Sequence, residues 1–191
     1  MDEQKIIEMP TENEKEDVSG TIRVKLDETF EYEDVTLDEI TIDMNALTGK
    51  DAMEVLDELS MNGHVVENEL TDTEFIPMLA ARAMGIGFDV FENLPIRPYN
   101  RVKELVRMWL IPYDETSGVE LNLQNLTGKE SREIEAEAKK KGRMVLFSEY
   151  DEVYRNLLIL RGSKLKMKDL EEMPVRKYLM LQKEVRSFLI S

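Results

Sequence analysis

Leu47-Thr48-Gly49-Lys50-Asp51 returns as Leu126-Thr127-Gly128-Lys129-Glu130, and the likeness extends well beyond these five residues. Sliding the chain by about 79 positions lays residues 42–111 over 121–190 without a gap, with roughly 19 identities in about 70 pairs. Glu54/Glu133, Glu58/Glu137, Gly63/Gly142, Arg82/Arg161, Pro95/Pro174, Arg97/Arg176 and Tyr99/Tyr178 coincide. Phe75/Tyr154, Trp109/Phe188, Val55/Ile134 and Ile96/Val175 are like-for-like exchanges. The period is longer than the roughly 20–50 residues of a solenoid repeat, so the predicted arrangement is two tandem copies of a small three-helix domain. Positions kept in both halves are expected to be framework, and positions that changed mark where the halves differ in task.

Local chemistry predicts the same elements in each half. Thr48 and Thr127 suit the N-cap, and Asp51 and Glu130 three residues later complete the capping box, in which each side chain satisfies the other's orphan amide. The first helix then runs to about Asn62 or Lys141 and stops at Gly63 or Gly142, glycine being the least strained residue in a left-handed C-cap. A second helix is predicted from Thr71, with Thr71-Asp72-Thr73-Glu74 as another box. It carries Phe75, Met78, Leu79 and Arg82, matched by Tyr154, Leu158 and Arg161. A short helical turn over 88–94 leads to Pro95, and a closing helix over 99–111 is matched over 178–190, with Pro98 suited to a first turn.

Ahead of the helices, Thr21-Ile22-Arg23-Val24-Lys25-Leu26 and Ile40-Thr41-Ile42-Asp43-Met44 alternate apolar and polar side chains. With Phe30-Glu31-Tyr32-Glu33-Asp34-Val35 between them they predict an antiparallel element of two or three strands. Val119-Glu120-Leu121-Asn122-Leu123 is the strand candidate of the second half. The fold class is therefore mainly α with a short N-terminal antiparallel β element. The organisation is a flexible acidic arm over 1–20, a β-hairpin plus first helical repeat over 21–111, a linker over 112–118 and a second repeat over 119–191.

Charge divides the chain as well. Residues 1–111 carry 10 basic and 26 acidic groups and residues 112–191 carry 15 and 14, for a net charge of −15. That balance argues against a general nucleic-acid binder, which needs a net basic face. No apolar run approaches the roughly 18 residues of a membrane span, and no basic-then-apolar leader opens the chain. With no cysteine, disulfides, thiol catalysis and cysteine zinc sites are excluded, which suits an intracellular setting.

Motifs that would carry chemistry fail on inspection. Gly49-Lys50 and Gly128-Lys129 lack the upstream glycine and following hydroxyl of a phosphate loop, and Asp51 and Glu130 would repel phosphate. Met84-Gly85-Ile86-Gly87 follows a helix and has no third glycine. His64 is the only histidine, so no two-histidine metal face exists, and calcium-loop spacing does not occur. No catalytic, cofactor or metal residue is expected, and the protein is read as a non-enzyme. The basic clusters Lys139-Lys140-Lys141-Gly142-Arg143 and Lys164, Lys166, Lys168 serve as helix-end charge or as docking points for an acidic partner, including the acidic half of a neighbouring copy. An apolar surplus at Ile86, Phe88, Val90, Phe91 and Leu94, together with 12 methionines, either fills two small cores or forms a groove for an apolar helix.

At Val24-Lys25-Leu26, at Phe30-Glu31-Tyr32-Glu33-Asp34-Val35 and from Ile40 through Leu47-Thr48-Gly49-Lys50-Asp51, the chain resembles the tail assembly chaperones of long-tailed bacteriophages. A helix similar to Phe75-Ile76-Pro77-Met78-Leu79-Ala80-Ala81-Arg82-Ala83 and a Leu94-Pro95 turn before the closing helix extend the likeness over 21–111, and more faintly over 119–190. The resemblance implies a non-enzymatic role with no cofactor: binding the aggregation-prone tape measure protein and helping to recruit tail tube subunits. It places the protein in the cytoplasm of an infected or lysogenic bacterial host and not in the mature virion. In many relatives a programmed ribosomal frameshift adds a second domain; the internal duplication departs from the single-domain pattern. On this reading the partner surface is assigned to Phe88, Phe91 and Trp109, with Phe188 as the second half's counterpart, and a homo-oligomer is a further expected partner. An acidic nucleic-acid mimic that inhibits a basic enzyme and a structural virion subunit are the competing readings.

Overall fold

The computed structural model describes residues 20–111 and 116–191. The predicted arm, apart from Gly20, and residues 112–115 of the predicted linker lie outside the described residues. The element order is β1 (Thr21–Tyr32), β2 (Val35–Asp43), α1 (Gly49–Met61), α2 (Phe75–Met84), α3 (Phe88–Glu92), α4 (Ile96–Leu110), α5 (Gly128–Lys140), α6 (Glu152–Gly162), α7 (Met167–Glu171) and α8 (Val175–Ile190). The protein is thus mainly helical with one small antiparallel sheet. α1, α3 and α4 begin at Gly49, Phe88 and Ile96, and their counterparts begin at Gly128, Met167 and Val175, the positions the internal likeness pairs with them.

Among the described residues the sheet has two strands, the smaller of the two expected numbers. The chain reverses at Glu33 and Asp34, with Glu33 at a φ of 52°. The predicted break after Leu26 is instead an irregularity inside β1, where residues 26–29 stand opposite Asp38 alone, and the Thr29 hydroxyl donates to Asp38 at 2.5 Å. Alternation buries Val24, Leu26 and Phe30 with Ile40 and Ile42, and that apolar face rests on α2 and α4. Residues 119–123 form no strand. The Asn122 amide donates to the Gly162 carbonyl at 2.7 Å, and a single 3-10 turn follows at Leu123–Asn125. With no second strand to pair with, the alternating Val119, Leu121 and Leu123 pack against helices.

Both capping boxes form. The Asp51 carboxylate accepts from the Thr48 amide at 2.8 Å and hydroxyl at 2.7 Å, and Glu130 accepts from the same groups of Thr127 at 2.7 and 2.9 Å. Gly63 and Gly142 stop α1 and α5 at φ of 79° and 81°. The box expected at Thr71 does not form. Asp72 caps instead, accepting from the Glu74 and Phe75 amides at 2.9 and 2.8 Å, so α2 begins four residues later. Asp151 does the same for the Tyr154 amide at 2.8 Å. α4 and α8 start directly after Pro95 and Pro174, earlier than expected, which leaves Pro98 in a first turn where a missing amide hydrogen costs nothing.

The residues kept in both halves include a matching clamp. Arg82 on α2 reaches Glu54 and Glu58 on α1 at 2.6 and 3.7 Å; Arg161 on α6 reaches Glu133 and Glu137 on α5 at 3.4 and 3.7 Å. Partly exposed pairs of this kind contribute about 0.2–1 kcal/mol each, so their main effect is to fix helix register. Beneath them Val55, Leu59, Ile134 and Ala138 are buried.

One hydrophobic core runs through both halves. α1 packs on α7 and α8, and the join is made by backbone: the Gly49 amide donates to the Met173 carbonyl at 2.7 Å and the Val175 amide to the Leu47 carbonyl at 3.0 Å. A Cβ at Gly49 would strike the Leu170 carbonyl oxygen, so this approach requires glycine. Deeper in the join, Glu69 of the first half accepts from Arg155 at 2.9 Å and from Arg186.

Candidate interaction surface

The four aromatics assigned to partner binding do not share one face. Phe91 is fully buried, its ring 5.2 Å from that of Tyr99, because the short α3 lies across α2 and turns Val90 and Phe91 inward. Phe91 therefore belongs to the core and presents nothing to a partner, which corrects the sequence reading. Phe88 is half-buried against the same core. Trp109 is half-buried, with the Arg176 guanidinium 5.8 Å from its ring centre, a cation–π contact across the two halves. Phe188 is exposed and lines an open recess of about 440 Å³ with Thr116, Val119, Leu121, Leu123 and Glu184.

A second set of exposed apolar side chains lies elsewhere. Met61 is 80% exposed at the end of α1 and Val65 is 58% exposed just beyond it; Met144, Leu146 and Phe147 in the loop after α5 are 80%, 74% and 58% exposed. The two segments are brought together by Arg143, which donates to the Ser60 hydroxyl and pairs with Asp57 at 3.0 Å. Arg143 stands where the first half has His64, and the two residues have parted company. His64 stays within its own half, 2.8 Å from Asp72, whose hydrogen bond raises the imidazole's pKa above its usual value. Isolated exposed hydrophobes need no explanation, but five on two segments that Arg143 links make this region a candidate contact surface. Lys139, Lys140 and Lys141 are exposed beside it. The sequence signal was present in Met144-Val145-Leu146-Phe147, an apolar run in a loop where polar residues are usual.

Comparison with known protein families, with characterised proteins and with solved structures finds no significant match to this chain. The chemistry of its own groups therefore carries the reading.

The protein also holds two buried polar clusters. Burial alone would raise the Glu69 carboxyl, but Arg155 and Arg186 outweigh it and hold the group below its usual range. Glu152, fully buried, is pushed up to about 7 by desolvation, against the hydrogen bond from Tyr178 and the nearby Arg155. The Tyr178 hydroxyl donates toward Glu152 and Asn156 at 3.1 Å each, and Gln182 donates to Asn156 at 2.6 Å. A carboxyl near 7 suits proton transfer, yet Glu152 lines neither the recess at Phe188 nor the smaller one of about 130 Å³ beside Glu69. Among the described residues no group of three His, Cys, Asp or Glu side chains is placed to hold a metal ion, and no helix is long and apolar enough to cross a membrane.

Proposed function

We propose that the protein is a non-enzymatic assembly chaperone of phage tails, built from two tandem copies of one helical unit, that holds the tape measure protein and helps recruit tail tube subunits. The observation that carries this reading is the candidate contact surface of Met61, Val65, Met144, Leu146 and Phe147, on two segments linked by Arg143. Methionine and phenylalanine at such exposure supply an adaptable apolar seat for the face of an amphipathic helix. The neighbouring lysines favour a helix whose apolar stripe is bordered by acids, and the net charge of −15 keeps the loaded complex dispersed. The resemblance over 21–111 supplies the identity of the partner.

The test is co-expression with the tape measure protein of the same tail gene cluster, followed by affinity capture and sizing chromatography. A complex that survives 1 M salt in roughly the manner of apolar contacts, and that is lost in Phe147→Asp, supports the reading. A tape measure protein that stays insoluble, or capture unchanged by Phe147→Asp, overturns it. Salt-labile capture of a basic protein would favour the acidic mimic.

A further inference from the structure

The join between the halves has two sides, and each side has an uncovered twin. One side is the start of α1: Leu47 is 3% exposed and Gly49 is buried, both covered by the second half. Its twin at the start of α5 is left open by the described residues, with Leu126 half-exposed, Gly128 exposed and none of them near enough to touch a Cβ at Gly128. The other side is the turn into α8, where Val175 is 0% exposed and Tyr178 is fully buried. Its twin is the turn into α4, where Ile96 is 69% exposed and Tyr99 is half-buried. The backbone bridge at Thr48 and Pro174 is the only isolated bridge among the described residues, so Thr127 and Pro95 make no such pairing with any of them.

We infer that these two open faces join one copy of the chain to another, the start of α5 docking on the turn into α4 of a second copy as the start of α1 docks on the turn into α8 within the chain. The intramolecular join is the template. The Gly128 amide would donate to the Leu94 carbonyl of the next copy, and that copy's Ile96 amide to the Leu126 carbonyl. Leu-Thr-Gly and the proline are retained in both halves, and Ile96 replaces Val175 with an apolar residue of similar shape. The two faces differ from each other, so the contact is heterologous and runs head to tail. Flanking positions differ from the inner join: Arg132 and Glu135 stand where α1 has the apolar Met53 and Leu56, and Ser148 stands where the inner join has the Glu69 carboxylate. The outer joint is accordingly weaker and reversible.

Sedimentation velocity on the full chain across about 1 µM to 1 mM tests this directly. The wild-type mass should rise with concentration. Gly128→Ala, whose new Cβ meets none of the described residues but would strike the neighbour's Phe91 carbonyl region, should stay monomeric with an unchanged melting temperature. Ile96→Glu should do the same through the other face. An equimolar mixture of the two variants should form dimers and nothing larger, because each retains the face the other lacks. A wild-type monomer at every concentration, a Gly128→Ala variant that associates like wild type, or a mixture that stays monomeric would each overturn the proposal. None of these outcomes depends on the tape measure reading.

Discussion

Replacing Glu69 by Gln removes one negative charge from between a buried cation, Arg155, and a partly buried one, Arg186. Glu69 is 4% exposed and Arg155 0%, and the Arg186 side chain is 12% exposed. Among the described residues Arg155 Nε and Nη1 have no hydrogen-bond partner, so the carboxylate is its principal compensation. Breaking a buried pair by deleting one partner costs about 3–5 kcal/mol, because the remaining charge stays desolvated. That is a fifth or more of the roughly 5–15 kcal/mol that holds a domain folded. With a urea slope near 2 kcal/mol/M, the midpoint should fall by about 1.5–2.5 M, followed by circular dichroism. Glu69→Leu with Arg155→Met and Arg186→Met should recover most of the loss, since no unpaired charge remains. The sign with pH follows from the lowered carboxyl: its stabilisation is present above the ordinary value of 4.5 and disappears as pH falls through the folded value. The variant should lose that acid dependence. A destabilisation below about 1 kcal/mol, or a triple variant as weak as the single one, would refute the argument.

Glu152 behaves oppositely. Raised from 4.5 to about 7, it contributes stability that is complete below 4.5 and is lost as pH climbs to about 7. The difference is worth about 3 kcal/mol, and thermal melts of Glu152→Gln should be flat across that window where wild type declines. Phe91→Ala should cost about 3–5 kcal/mol in urea unfolding, whereas Phe147→Ala should stay within about 0.5 kcal/mol of wild type. Gly49→Ala should lower stability by about 1–3 kcal/mol through the clash with Leu170, a loss that the equivalent change at Gly128 should not show in the same melts.

What proved legible in the sequence was local. Thr48 with Asp51 and Thr127 with Glu130 build their caps from side chains three residues apart, and Gly63 and Gly142 end helices through their own backbone freedom. The Asp72 and Asp151 caps were equally local, but the competing box at Thr71 obscured the first. Chemistry that depends on distant partners was not legible. Glu69 meets Arg155 and Arg186 across the chain, and only the folded arrangement reveals that one carboxylate serves two guanidiniums. Residues 119–123 alternate like a strand because they have one face against helices, and alternation reports a buried face without naming what buries it. Phe91 failed for a related reason. Aromatic surplus in a short segment fits a core and a docking groove equally well, and burial decides between them.

The Gly49–Met173 hydrogen bond also sets a timetable for synthesis. At about 5–20 residues per second, on the order of 10 s separates emergence of its donor from translation of its acceptor. During that interval the α1 start stands bare while the turn into α4, a close chemical likeness of its proper acceptor, has already been made. On a crowded polysome the two come from neighbouring nascent chains. A dilute ribosome, or a slow stretch of codons placed late in the message, should therefore change how many chains finish with their own halves joined and how many finish joined to a sibling.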